Sequence, residues 1–277
     1  MVNMSKGYKK IYEENYQAVR ESENYTAIDR PYYYPHVRRF KSICQQVLSS
    51  RPRSILDVGC GDGAYGIFFG SRSISYVGAD IALINLKRLK QWATERKLDI
   101  PMVLCDAQYL PFQNDTFDVV LCSEVIEHML ELDLALSELN RASKKTIIIS
   151  TPCMGFPLLN DLFTHFVKKE NARVRFEIDS AGTYQGLSKL LRETTSLHIR
   201  IFTLPLLREI FKENNLNMVK VQGAGFSIPF LPIRQSTLEH WEDDFLNKIQ
   251  LFLMPKVHIG YIFAIFTFKK TIKFADT

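Results

Sequence analysis

Apolar residues follow two rhythms along this chain, and the rhythms alternate. Short unbroken apolar runs at 54–58, 75–80, 102–106, 117–123 and 146–150 have the length and character of strands buried on both faces. Between them, 64–69, 82–97 and 130–142 space their apolar residues as amphipathic helices do. This alternation predicts a Rossmann-like, doubly wound α/β fold, a mostly parallel sheet with helices on both faces. Further on, 204–214 reads as a helix, and 218–221 and 259–268 as the strands that bring the sheet to seven. Ahead of the alternation, 37–48 reads as an amphipathic helix entering the core, and Tyr8, Tyr12 and Tyr16 recur at helical spacing.

The pattern breaks between 151 and 203. A connection of roughly fifty residues is long for a compact domain and is usually functional or disordered. Phe156, Leu158, Leu159, Phe163 and Phe166 argue against disorder, and Lys168, Lys169, Arg173 and Arg175 add a basic patch. The segment reads as a lid over an acceptor. The expected organisation is therefore one domain: N-terminal helices at 1–52, a ligand-binding core at 53–150, a lid insertion at 151–203, and the rest of the sheet at 204–277.

The first apolar run ends in Asp57, and Gly59-Cys60-Gly61-Asp62-Gly63-Ala64 follows at once. Glycines here remove Cβ atoms that would block a ligand, and the helix predicted next turns free N–H groups toward the same spot. The turn fits the dinucleotide fingerprint, with Asp80 at a suitable distance to hold ribose hydroxyls. Asp57, Asp80, Asp106 and Ser123 all fall at carboxyl ends of predicted strands, where open α/β sheets bind ligands. A second ligand class competes with the dinucleotide. Asp57 before the first glycine, Leu104-Cys105-Asp106-Ala107, and the run from Leu110 through Ser123-Glu124-Val125-Ile126-Glu127-His128 have no counterpart need in a hydride-transferring enzyme.

On these residues, the stretch from about Arg53 to Ser150 resembles the class I S-adenosylmethionine-dependent methyltransferases. The resemblance is greatest to the small-molecule group of ubiquinone and menaquinone biosynthesis, methyltransferase type 11. It implies S-adenosyl-L-methionine as cofactor. It also implies that Asp57, Gly59, Gly61 and Gly63 surround the methionine end, that Asp80 holds the ribose, and that Asp106 and Ala107 meet the adenine. Ser123 and Glu124 line the methionine side, and Cys60 and Ile81 complete the cofactor set. The last strand is expected to run antiparallel. The implied activity is in-line methyl transfer to a small or lipid-linked molecule. Competing readings are a cofactor-binding protein without turnover, an RNA or protein methyltransferase, and an NAD-dependent oxidoreductase.

A hydroxyl acceptor needs a general base, and His128 and His198 are the catalytic candidates. Each has a plain structural alternative, His128 as a closing residue of its turn and His198 as a solvated loop residue. His165 reads as packing on a lid helix. Arg200 reads either as a surface cation or as a hold on an anionic acceptor group. No Asn-Pro-Pro-Tyr-like segment follows the fourth strand, which disfavours methylation of a base amine.

Composition narrows the rest. Hydrophobic residues make up 46% of 277, enough for a full core. The net charge of +5 is mild and does not point to nucleic acid, so neither DNA nor RNA is an expected partner. Five cysteines lack paired spacing, so a metal site is not expected and they read as reduced core residues. Residues 1–10 are polar and basic, without a signal-peptide core, and the apolar run at 259–268 is too short to span a bilayer. A cytoplasmic protein is expected, with the apolar stretches 226–233 and 246–254 suited to greasy ligands or peripheral membrane contact.

Overall fold

Eight strands form the sheet, in a computed structural model that describes residues 34–154, 200, 202–226 and 261–270. They are β1 (Ser54–Val58), β2 (Ser75–Asp80), β3 (Met102–Leu104), β4 (Phe117–Ser123), β5 (Ser143–Met154), β6 (Phe202–Thr203), β7 (Met218–Phe226) and β8 (Tyr261–Lys269). The order is β3-β2-β1-β4-β5-β8-β7, with β6 alongside β5. β1 to β5 pair in parallel, and β8 runs antiparallel to both β5 and β7, so seven of these strands form the expected sheet with an antiparallel last strand, and β6 adds a short eighth beside β5. The helices are α1 (Tyr34–Ser49), α2 (Ala64–Gly70), α3 (Leu83–Glu95), α4 (Leu132–Ala142) and α5 (Leu204–Glu213).

Alternation along the strands divides the core in two. Ile55, Val119, Leu121, Ile148 and Ile265 pack with Ile43 and Val47 of α1, Phe69 of α2 and Leu89 of α3. Their neighbours Leu56, Val120, Ile147, Ile149 and Phe266 point the other way, onto Leu136 and Leu139 of α4 and Leu207 and Phe211 of α5. In α4 the buried residues Leu132, Ala135, Leu136 and Leu139 fall at the i, i+3, i+4, i+7 spacing that lays one stripe against a sheet. Lys97 and Asn215, with φ of 54° and 56°, take left-handed backbone just past the ends of α3 and α5 and stop them there.

α1 is tied to the far side of the sheet. Gln46 donates to Gln222 of β7 at 3.2 Å and accepts from Thr267 of β8, while Gln222 donates to Ser42 at 3.3 Å. Phe40 stacks on Tyr65 of α2 with ring centroids 5.0 Å apart.

Three elements differ from the apolar pattern. β3 stops at Leu104, because the Asp106 carboxylate accepts from the Gln108 N–H at 2.9 Å and turns the chain. β5 continues through the polar Ser-Thr-Pro to Met154, because Ser150, Thr151 and Pro152 pair with β8 and Cys153 and Met154 with β6. Phe202 and Thr203, outside any predicted element, form a short strand beside β5. Pairing with distant chain supplies the regularity that these sequences lack locally. All five cysteines are free, and among the described residues no helix is long and apolar enough to cross a membrane. The tyrosine helix near Tyr8, most of the lid insertion, His165, His198 and the stretches 227–233 and 246–254 lie outside the described residues.

Candidate active site

The strand–turn–helix junction after β1 is built so that backbone faces a cleft. Gly59 has φ of +72°, and a Cβ placed on it would lie 2.3 Å from the Val125 Cγ2, so neither the conformation nor the space admits a side chain. Gly61, with φ of +57°, has nothing within 4 Å of the same position: its bare face is open. The Gly59 and Cys60 N–H groups both donate to the Ala79 carbonyl, at 2.7 and 3.0 Å, which pins the turn to β2. Gly63 has a packing reason of its own. A Cβ there would sit 2.1 Å from the Leu89 Cδ1, so its bareness lets α2 and α3 close on each other.

The cleft at this junction spans about 590 Å³ of space, its solvent-open mouth included. Gly59 and Gly61 form one wall, Asp80, Ile81 and Asn85 a second, Cys105, Asp106 and Ala107 a third, and Glu124, Val125, His128 and Met129 the fourth. Asp57, Cys60, Gly63 and Ser123 stand behind that lining.

Asp80 is buried at the end of β2, where its carboxylate accepts from the Gly61 N–H and the Ala82 N–H, both at 2.8 Å. Those two donors fix the carboxylate between the glycine turn and the start of α3. Asn85, one turn into α3, donates its Nδ2 to Asp80 at 3.3 Å. Asp106 is held by Gln108, whose Oε1 in turn accepts from the Glu131 N–H at 2.9 Å, linking the third wall to the start of α4. Bare backbone beside buried hydroxyl acceptors fits the ribose of a nucleoside-bearing ligand.

The fourth wall is a buried polar network. Glu124 takes a left-handed φ of 58°, accepts from Ser150 Oγ at 2.9 Å and pairs with Arg39 of α1 at 3.0 Å. Ser123 meets Ser150 at 2.9 Å and the Tyr65 hydroxyl at 3.3 Å. Glu127 accepts from Thr151 Oγ1 at 2.9 Å and lies 3.8 Å from His128 Nε2. Burial, and then the nearby Glu124 carboxylate, pushes Glu127 well above the usual carboxylate range. Burial also raises Glu124, against the pull of Arg39 and Ser150. His128 closes the turn Ile126–His128 and also lines the cleft, so its structural and chemical readings describe the same placement.

Arg200 is neither a surface cation nor a reach toward solvent. It is 6% exposed, its N–H donates to the Glu127 carbonyl at 3.1 Å, and its Nη2 donates to the Leu130 carbonyl at 2.8 Å. It clamps the segment that carries His128 and Met129. Asp57 lies beneath the glycine turn at 1% exposure, accepting from the Tyr76 hydroxyl at 2.5 Å. Burial pushes its carboxyl up to about 7 despite that hydrogen bond. The apolar pattern and the glycine turn gave no signal for Arg39, Asn85, Thr151 or Gln108, since their partners come from other elements. Asn85 is the exception in kind: a lone amide on the buried face of a predicted helix is visible as an irregularity.

Residues 56–149 match the family described as "Methyltransferase domain". Over 174 residues the chain is 28% identical to a ubiquinone biosynthesis O-methyltransferase of Pelagibacter ubique, covering 63% of this chain and 65% of that one. Over 90 residues it is 39% identical to an uncharacterised protein of Methanocaldococcus jannaschii, covering 32% of this chain and 36% of that one. The chain thus matches less than two thirds of the length of either relative. Among solved structures, the fold resembles a magnesium protoporphyrin IX methyltransferase of Synechocystis crystallised with bound SAH. The TM-score is 0.58 at 12% identity, over 97% of this chain and all of that one.

Proposed function

We propose that this protein, whose residues 56–149 match the methyltransferase-domain family, transfers a methyl group from S-adenosylmethionine to a small or lipid-linked hydroxyl-bearing molecule. The observation that carries the reading is convergence: bare Gly59 and Gly61, the Asp80 carboxylate, Asp106 with Ala107, and His128 all line one cleft at the carboxyl ends of β1 to β4. S-adenosylmethionine carries a sulfonium that makes its methyl carbon electrophilic. The residues that would hold it are Asp80 for ribose hydroxyls, Asp106 and Ala107 beside the adenine, and Gly59, Gly61 and Glu124 toward the methionine end.

With such a donor the protein mainly has to align the acceptor and exclude water, and positioning supplies much of the rate. His128 is the cleft residue suited to take a proton from an acceptor hydroxyl. The Arg39–Glu124 pair ties α1 to this wall and helps close it against solvent. The apolar and aromatic residues of the insertion favour an acceptor with an apolar body, and the name of the Pelagibacter ubique relative is consistent with that class.

Incubation with S-adenosylmethionine and a panel of hydroxylated aromatic acceptors, with and without isoprenoid tails, tests the proposal. S-adenosylhomocysteine should accumulate together with an acceptor heavier by one methylene. Cofactor binding without product from any acceptor in the panel would favour a binding protein instead.

A further inference from the structure

The turn that presents His128 to the cleft is weakly held from within. Ile126–His128 is a single 3-10 turn without a side-chain N-cap, closed by the His128 N–H on the Val125 carbonyl at 3.0 Å and the Met129 N–H on the Ile126 carbonyl at 3.3 Å. Arg200 reaches it from outside. Its N–H donates to the Glu127 carbonyl and its Nη2 to the Leu130 carbonyl, and the two residues between those carbonyls, His128 and Met129, both line the cleft. Contacts on both sides of the pair fix its orientation as well as its position. Arg200 is itself anchored, because it is buried and Phe202, two residues on, pairs with Cys153 at the end of β5. Thr151 of β5 also holds the Glu127 carboxylate, so one strand secures the residue before His128 by its side chain and, through β6 and Arg200, by its backbone.

We propose that Arg200 is a positioning residue for methyl transfer, acting through His128 by holding the imidazole at the depth and angle from which it takes the acceptor's proton. The inference rests on the reading of His128 as general base given above. A base works only within hydrogen-bond reach of the proton it takes, and a displacement of about 1 Å caused from outside the reacting groups can cost about 10² in rate. Arginine suits this task because its planar fork is rigid and stays charged at every pH at which an imidazole titrates. Lysine keeps the charge but carries it as a point donor on a flexible stem. Glutamine loses both the charge and the reach to the Leu130 carbonyl.

The test compares wild type, Arg200→Lys, Arg200→Gln, His128→Gln and the Arg200→Gln/His128→Gln double variant in single-turnover transfer to the hydroxylated aromatic acceptors, alongside melting and hydrogen exchange. Arg200→Gln should lower the transfer rate about 10²-fold and Arg200→Lys about ten-fold, with S-adenosylhomocysteine affinity unchanged. In the His128→Gln background the same Arg200→Gln exchange should cost less than about three-fold, because a residue that acts through His128 then has nothing left to position. If Arg200→Gln melts too low to assay, Arg200→Lys carries the same comparison. Exchange of the His128 and Met129 amides needs no acceptor. It should be about ten-fold faster in Arg200→Gln, or in Arg200→Lys in its place, while the amides of β4 and α4 keep their protection. Equal rate losses in both backgrounds, or His128 and Met129 amides that exchange as in wild type, would overturn the inference and leave the methyltransferase reading intact. Transfer at the wild-type rate by His128→Gln would overturn the base assignment and the inference with it.

Discussion

Without ligand, Asp57→Asn should remove part of the stability loss that the wild-type protein suffers between about pH 4 and pH 7. The Asp57 carboxyl is buried beneath the glycine turn, and burial moves it from 3.8 to about 7 in the folded state. Between these values the folded protein binds a proton that the unfolded chain has released. Stability is therefore full below the unfolded pKa, falls as pH rises through the window, and is lost above the folded pKa. Three units correspond to on the order of 4 kcal/mol. Glu124 and Glu127 contribute with the same sign in both proteins, so the difference between wild type and variant isolates Asp57. Denaturant unfolding from pH 4 to 8 should show the two proteins alike at the acid end and the variant more stable at the alkaline end. Parallel curves would show that Asp57 ionises as freely in the fold as in water. A cationic amino group bound at the glycine turn favours ionised Asp57, so the wild-type loss should shrink when S-adenosylhomocysteine is present.

The second large effect is kinetic. His128→Gln should lower the turnover of a hydroxyl acceptor by about 10² to 10⁴, the usual contribution of a positioned general base, while changing S-adenosylhomocysteine affinity only a few-fold. Glutamine keeps the bulk and a hydrogen-bonding end but cannot take up a proton at neutral pH. Single-turnover transfer measured across pH separates the two possibilities for this residue. A base leaves a rate that rises with pH in wild type and is flat in the variant; a closing residue of the turn leaves the profile unchanged. Wild-type turnover in His128→Gln would remove it from the chemistry.

What the sequence discloses here is what a short stretch of chain can hold by itself. The order of strands and helices is legible because each element carries its own apolar period, and the cleft is legible because each acid, like the glycine turn, falls at the carboxyl end of its own strand. Asp80 and Gly61 could be paired on paper for that reason, and they meet at 2.8 Å. What stays hidden depends on contacts between distant parts of the chain. Arg39 meets Glu124 from a helix that precedes the sheet, and Arg200 returns from the end of the insertion to hold the Glu127 and Leu130 carbonyls. The extension of β5 has the same origin, since its polar residues gain regularity only from β8 and β6. Gly63 shows another hidden contact, a motif position whose missing side chain makes room for Leu89.

Calorimetric and thermal titration of the wild-type protein with S-adenosylhomocysteine and with NAD, repeated on Asp80→Ala, tests the cofactor assignment most directly. S-adenosylhomocysteine at 100 times its dissociation constant should stabilise the wild-type fold by about 2.7 kcal/mol, with NAD without effect. Removing the Asp80 carboxylate should weaken binding by about 1.5 to 3 kcal/mol, the worth of a charged acceptor. Stabilisation by NAD with none from S-adenosylhomocysteine, or equal affinity in Asp80→Ala, would contradict the account.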